Sequence, residues 1–456
     1  MIHKYKMHGR NIVLDVNGGA VHLFDDISYD ILDYYKENTK EEIIEILSQY
    51  DAKDVSDCYD EIENMERQGL LFSSDDYIDF DAIKNKEPVL KALCLHVVHD
   101  CNLKCKYCFA SQGDFGGHKA YMTEEVGKKA LKYLVDNSGS RKALEVDFFG
   151  GEPLMDFPLV KKLVSYGNEI AKEKGKYFRF TITTNGVLLN DEIIDYINEN
   201  MHNVVLSLDG RKEINDEMRP TLNDKGSYDL IVPKYQKLIS KRGKKSYYVR
   251  GTFTKNNLDF SKDLKLFKDL GFNLSSIEPV VDPDNNPYAI TEEDLPAILK
   301  EYEDYAKTYA KLQTDGENFK FFHFMIDLSQ GPCIIKRVSG CGAGCEYLAI
   351  TPEGDIYPCH QFVGQEDFKM GNILDENLTL PKSLQETFGS AHVFEKEDCK
   401  ECWNKFYCSG GCHANAYNFN KDIKKPYELG CEMQKKRTEC AIYVEVEKML
   451  KGNAND

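Results

Sequence analysis

Between residues 89 and 313 the hydrophobic pattern keeps switching period. Short runs rich in apolar and β-branched residues alternate with longer stretches of helical character. The short runs predict strands at 90–98, 144–149, 178–184, 204–208, 247–253 and 276–281. Helices are predicted between and after them. Thr123 caps an acidic first turn ahead of 126–135, and Thr291 with Glu292, Glu293 and Asp294 opens 295–312. Six such βα units imply a parallel sheet with right-handed crossovers. The fold class is therefore α/β. A partial (β/α)6 TIM-like barrel is the natural closure, with its chemistry at the C-terminal strand ends.

The flanking regions read differently. Residues 11–16 and 20–24 predict a hairpin around Asn17-Gly18-Gly19. Helices follow at 27–35, at 41–50 behind the cap Thr39, and at 55–68 before Gly69. Residues 70–72 are expected to return as an edge strand, and the acidic run 73–86 to be a linker. From about residue 318 aromatics, glycines and cysteines dominate and long periodic helices fade. The chain thus divides into 1–88, 89–317 and 318–456.

The length of 456 residues and a 42% hydrophobic content support real cores, and 29% charged residues suit a solvated surface. A net charge of -18 argues against nonspecific nucleic-acid binding, which needs a positive field. The N-terminus has no apolar signal core, and no stretch approaches the ~18 apolar residues of a membrane span. Fifteen cysteines in such a chain point to metal rather than disulfides, and hence to the cytoplasm. Ten of them lie beyond residue 320.

Cys101, Cys105 and Cys108 are spaced C-x3-C-x2-C directly after the first barrel strand. A cubane iron–sulfur cluster takes four thiolates, so three in one loop leave one iron open to a ligand. A zinc site favours paired C-x2-C units and fits less well. The motif resembles the signature of the radical S-adenosylmethionine (SAM) enzymes. In that family the aromatic residue before the last cysteine, here Tyr107, packs on the adenine. The resemblance also implies a pocket. Gly150-Gly151-Glu152-Pro153 follows the second strand and would receive the methionyl amino group, its glycines allowing close backbone approach. Ser207 and Arg219 would meet the carboxylate and ribose, with Asn185 and Asp209 nearby. Helix caps for Ser207 and Asp209 and a surface ion pair for Arg219 are the plainer alternatives.

The C-terminal series Cys399-x2-Cys402-x5-Cys408-x3-Cys412, then Cys431, preceded by Gly354-x4-Cys359, resembles the SPASM extension with its two auxiliary [4Fe–4S] clusters. The resemblance assigns Cys399, Cys402, Cys408 and Cys431 to one cluster. It assigns Cys359 and Cys412 to the other, joined by Cys341 or Cys345. Cys333 is a further candidate for that shell. Structural zinc is the alternative for the whole array. Cys58, Cys94 and Cys440 are expected to be buried packing residues.

Taken together, the chain resembles radical SAM/SPASM peptide maturases, most nearly those of SCIFF peptides. That implies three [4Fe–4S] clusters, SAM and a flavodoxin- or ferredoxin-type electron donor. It also implies a precursor peptide whose leader docks on an N-terminal winged-helix-like recognition domain by strand addition. The activity implied is a thioether between a cysteine sulfur and another residue's α-carbon. An anaerobic sulfatase maturase is an alternative; there an aspartate base follows the auxiliary cysteine, whereas here His360 follows Cys359 in a surface or supporting role. A non-enzymatic cluster or zinc scaffold that binds a peptide is the alternative from another class.

Overall fold

A three-stranded antiparallel sheet opens the chain: β1 (Ile2–Met7), β2 (Arg10–Asp15) and β3 (Val21–Phe24), in that spatial order. The computed structural model describes residues 1–76, 78, 88–282, 286–328 and 338–453. Most of the expected linker 73–86, and Cys333, lie outside the described residues. The β2–β3 hairpin forms where Asn17-Gly18-Gly19 predicts it. β1 was not expected, because Lys4 and Lys6 interrupt its apolar positions; only Tyr5 and Met7 on its other face are buried.

Three helices, Asp26–Ile31, Lys40–Ile46 and Ala52–Arg67, close this unit over Val13, Ile31, Ile43, Val55 and Ile62. Thr39 and Glu42 form a full capping box at the second. The expected edge strand at 70–72 does not exist. Phe72 takes φ 56 and stacks on Tyr35, while Leu71 inserts into the helical core, so the chain turns away from the sheet.

Among the described residues the second sheet has 11 strands. Its centre is the expected parallel array: β4 (Ala92–His99), β6 (Ala143–Gly150), β7 (Tyr177–Thr184), β8 (Asn203–Ser207), β9 (Tyr248–Phe253) and β10 (Leu274–Pro279). The short β5 (Ala120–Tyr121) pairs antiparallel with β4. Helices follow each parallel strand, including Glu124–Asp136 behind Thr123 and Leu295–Thr314 behind the Thr291–Asp294 capping box. Leu93, Leu95, Leu144, Val146 and Phe148 join the main core, while Cys94 and Phe149 belong to a cluster on the other side of the strands.

The sheet runs on across residue 318. β11 (Lys320–Phe321) extends β10, and β12 (Tyr347–Ile350) pairs parallel with β4, followed by β13 (Asp355–Tyr357) and β14 (Gly371–Asn372). The C-terminal part also holds the longest helix among the described residues, Glu428–Asn453, where long helices were expected to fade. Residues 440 to 444 are buried consecutively, so this helix is covered all round and shows no apolar stripe. It lies against Leu295–Thr314 and meets the N-terminal sheet: the Tyr5 hydroxyl donates to the Glu439 carbonyl at 2.9 Å, and Arg10 pairs with Glu447 at 2.7 Å. Among the described residues no helix is long and apolar enough to cross a membrane.

Candidate active site and cluster sites

The C-terminal end of β4 passes directly into the Cys101–Cys108 loop. Backbone bonds stitch this loop to 218–220: Lys104 N–H to the Pro220 carbonyl at 3.0 Å and Lys106 N–H to Met218 at 2.9 Å. The three thiols lie close enough for their charges to interact. Burial pushes Cys101 up to about 12, opposed by the Leu103 amide, and Cys105 up to about 11, opposed by Arg219.

Gly150 and Gly151 do allow close backbone approach, and the partner is the root of this loop. A Cβ on Gly151 would sit 2.0 Å from the Asp100 carbonyl oxygen; one on Gly150 would sit 2.2 Å from that of Val98. Gly151 N–H donates to Val98 at 2.8 Å and Glu152 N–H to Asp100 at 2.9 Å. Pro153 begins a 3-10 turn and is buried. The Glu152 carboxylate is fully buried. It accepts from Thr184 Oγ1 at 2.7 Å, Leu154 N–H at 3.0 Å and Asn185 N–H at 2.8 Å. Burial pushes it up to about 7 despite these bonds. Asn185 Nδ2 donates to Asn102 at 2.7 Å and lies 3.7 Å from Cys101 Sγ.

Tyr107 takes on a contact that the motif did not reveal. Its hydroxyl donates to the Asp209 carboxylate, with 2.7 Å and 2.9 Å to the two oxygens, and accepts from Arg219 at 2.8 Å. Asp209 is buried, is raised by burial and is opposed by Arg219; it also accepts from Thr252 N–H at 3.1 Å. Arg219 is therefore an interior cation rather than half of a surface ion pair, and its Nε has no hydrogen-bond partner among the described residues. Ser207 ends β8, and its carbonyl accepts from Tyr235.

The remaining cysteines fall into two electrostatic groups. Cys399, Cys402, Cys408 and Cys431 act on one another. Cys341 and Cys412 act on Cys359, and Cys341 on Cys412. Burial is the largest influence on Cys359, Cys399, Cys408 and Cys431 and raises each, whereas Cys412 is exposed. Cys345 Sγ donates to the Gln385 carbonyl at 3.3 Å. Every cysteine among the described residues is a free thiol, and no three His, Cys, Asp or Glu side chains there close around a single-ion position. Cys94 and Cys440 are buried as expected; Cys58 is only half-buried, with its sulfur 4.0 Å from Asp25.

His360 is not a surface residue. Its ring packs against Phe149 at 5.3 Å and Phe109 at 5.7 Å, and its Nδ1 lies 3.1 Å from the Tyr347 hydroxyl. Burial of the ring lowers its pKa to about 4. His96 and His99, 3.0 Å apart, also went unread; burial lowers both, His99 to about 4, and Phe115 packs on each. Three apart on a regular strand the two side chains would face opposite sides; they meet because the β4–β6 pairing shifts register between His96 and Val98, which the spacing does not signal.

Residues 95–252 match the Radical SAM superfamily, and residues 341–403 match the SPASM iron–sulfur cluster-binding domain. The chain carries a radical SAM domain and a SPASM domain. It is similar to a cysteine-type anaerobic sulfatase-maturating enzyme of Clostridium novyi, 26% identical over 69% of this chain and 86% of the relative. It is also similar to the antilisterial bacteriocin subtilosin biosynthesis protein AlbA of Bacillus subtilis, 26% identical over 76% of this chain and 71% of the relative. Two solved structures share the fold. One is anSMEcpe with bound AdoMet, at TM-score 0.66 and 23% identity, covering 80% of this chain and 96% of that one. The other is Streptococcus suis SuiB bound to the precursor peptide SuiA, at 0.54 and 15%, covering 94% and 98%.

Proposed function

We propose that this chain is a radical SAM maturase of ribosomally made, cysteine-rich precursor peptides, joining a cysteine sulfur to the α-carbon of another residue in the manner of the SCIFF enzymes. Cys101, Cys105 and Cys108 would hold the cluster that meets SAM. Cys341, Cys359 and Cys412 would hold one auxiliary [4Fe–4S] cluster, and Cys399, Cys402, Cys408 and Cys431 the other. The residues fit these groups. Each set of donors is made of thiols within electrostatic range of one another, and the unpartnered, buried Arg219 Nε suits a ligand carboxylate. When bound, the clusters and SAM supply a one-electron cleavage that yields a hydrogen-abstracting carbon radical. The protein's own part is placement. Asp209 and Arg219 fix Tyr107, Glu152 fixes the end of β7, and Phe115 and Phe149 pack against Phe109 beside the loop.

The observation that carries this reading is the contact between the two thiol regions. His360, next to Cys359, packs against Phe109, next to Cys108. A substrate sulfur presented at the Cys359 site would lie beside the place where hydrogen is removed. Leader docking is assigned to β3. β1 is engaged by the Glu428–Asn453 helix through His3 and Tyr5, whereas β3 ends the sheet and exposes Leu23. A flavodoxin- or ferredoxin-type donor would supply electrons in the cytoplasm.

Mass spectrometry of a coexpressed cysteine-rich precursor tests the reading. The expected product has lost two hydrogens per bond and kept its sulfur. Loss of sulfur from a cysteine would instead indicate formylglycine formation, the activity that the name of the Clostridium novyi relative suggests. Unmodified peptide alongside active SAM cleavage would refute both.

A further inference from the structure

Lys396 is completely buried beside the Cys399 array. Its Nζ donates to the Gly410 carbonyl at 2.7 Å and lies 3.5 Å from His413 Nδ1. Gly410 stands between Cys408, of the four-thiol group, and Cys412, of the three-thiol group. The ammonium is thus anchored on the short segment that joins the two groups. The charges that act on it are Cys399, Cys408 and Cys431 on one side and Cys412 on the other. Among the described residues no carboxylate pairs with it.

The neighbouring lysines differ. Lys435 faces Cys402 and Cys431 and has its own carboxylate, Glu432, at 2.7 Å. Lys405 donates to the Lys400 carbonyl at 2.9 Å. A buried ammonium without an anion is strongly disfavoured. Metal-bound thiols are deprotonated, so thiolates from both groups are the anions that face it. Adding an electron to a site raises its negative charge, and a cation held nearby in a low-dielectric interior favours that reduced form.

We propose that Lys396 is the shared counter-cation of the two auxiliary sites and raises the reduction potential of what each holds. This rests on the assignment of iron–sulfur clusters to those thiols.

Redox titration followed by electron paramagnetic resonance tests it, in a Cys101/Cys105/Cys108→Ala background where only the auxiliary signals remain. In Lys396→Met the ratio of reduced to oxidised form at a fixed potential should fall about tenfold or more at both sites, a shift of about 59 mV to lower potential for a one-electron couple. Lys396→Arg should restore both. If Lys396→Met keeps its iron and sulfide and either potential stays unmoved, the shared cation is refuted. If Lys396→Met loses auxiliary iron, Lys396→Arg decides: iron retained with arginine supports a charge requirement, and iron lost in both refutes it. Absence of auxiliary iron and sulfide in the protein with Lys396 intact would instead overturn the cluster assignment itself.

Discussion

At the Cys101–Cys108 loop the cation Arg219 is shared with a hydroxyl and lies 3.8 Å from the Asp209 carboxylate, whereas at the C-terminal array Lys396 reaches a carbonyl and an imidazole and, among the described residues, pairs with no carboxylate. Both regions gather thiols, yet they treat charge differently. The Cys101–Cys108 loop balances Arg219 within the protein through Tyr107 and Asp209 and leaves its Nε without a hydrogen-bond partner among the described residues, as the proposed contact with a ligand carboxylate requires. The C-terminal array leaves its cation to the thiolates themselves, which suits permanent residents. The first region is also pinned by backbone bonds from two other segments, so its geometry depends on close approach more than on charge.

Gly151→Ala should break this contrast most sharply. Its Cβ would meet the Asp100 carbonyl oxygen at 2.0 Å, and backbone cannot swing aside as a side chain can. SAM cleavage should fall about 100-fold or more, the usual cost of ~1 Å misplacement in an active site. Iron at the C-terminal array should be unchanged, as element analysis and 5′-deoxyadenosine assay would show.

Tyr107→Phe sharpens the same contrast. It leaves Asp209 and Arg219 without the hydroxyl between them, and should cost about 1–3 kcal/mol of stability in anaerobic denaturant unfolding. Weaker SAM binding should accompany this, with the auxiliary spectra unmoved.

Leu23→Asp acts on neither thiol region. It should weaken leader binding by about 1 kcal/mol, several-fold in affinity, with SAM cleavage in the absence of peptide unaffected. Fluorescence anisotropy with a labelled leader reads the difference. A point change suits this better than removing the N-terminal unit, because Tyr5, Met7 and Ile12 belong to the main core.

The last effect is a slope. Burial raises Glu152 from 4.5 to about 7, so the folded protein holds a proton that the unfolded chain releases. Its contribution to stability is fully present below about 4.5 and declines as pH rises toward about 7. Glu152→Gln should flatten that part of the stability–pH curve, whatever its effect on absolute stability.

The parallel array was legible because its strands carry β-branched runs and its helices open on Thr123 and Thr291 in the expected places. Local structure written in a few adjacent residues was readable too, as in the Thr39 cap and the turn at Asn17-Gly18-Gly19. What escaped was structure made by distant packing. The Glu428–Asn453 helix is covered on all sides and leaves no periodic stripe, and β1 exists because β2 and the Glu428–Asn453 helix flank it. At the site, the close approach that Gly150 and Gly151 permit is to Val98 and Asp100 at the end of β4, a contact the sequence does not signal. The Tyr107 hydroxyl and Lys396 acquire their roles only when segments 102 and 14 residues away fold onto them.

The most direct measurement compares 5′-deoxyadenosine formation by the reduced, anaerobically reconstituted protein with that of its Cys101/Cys105/Cys108→Ala variant. Steady product is expected from the former and none from the latter, with auxiliary iron retained in both. Continued cleavage of SAM by the variant would contradict the proposed function.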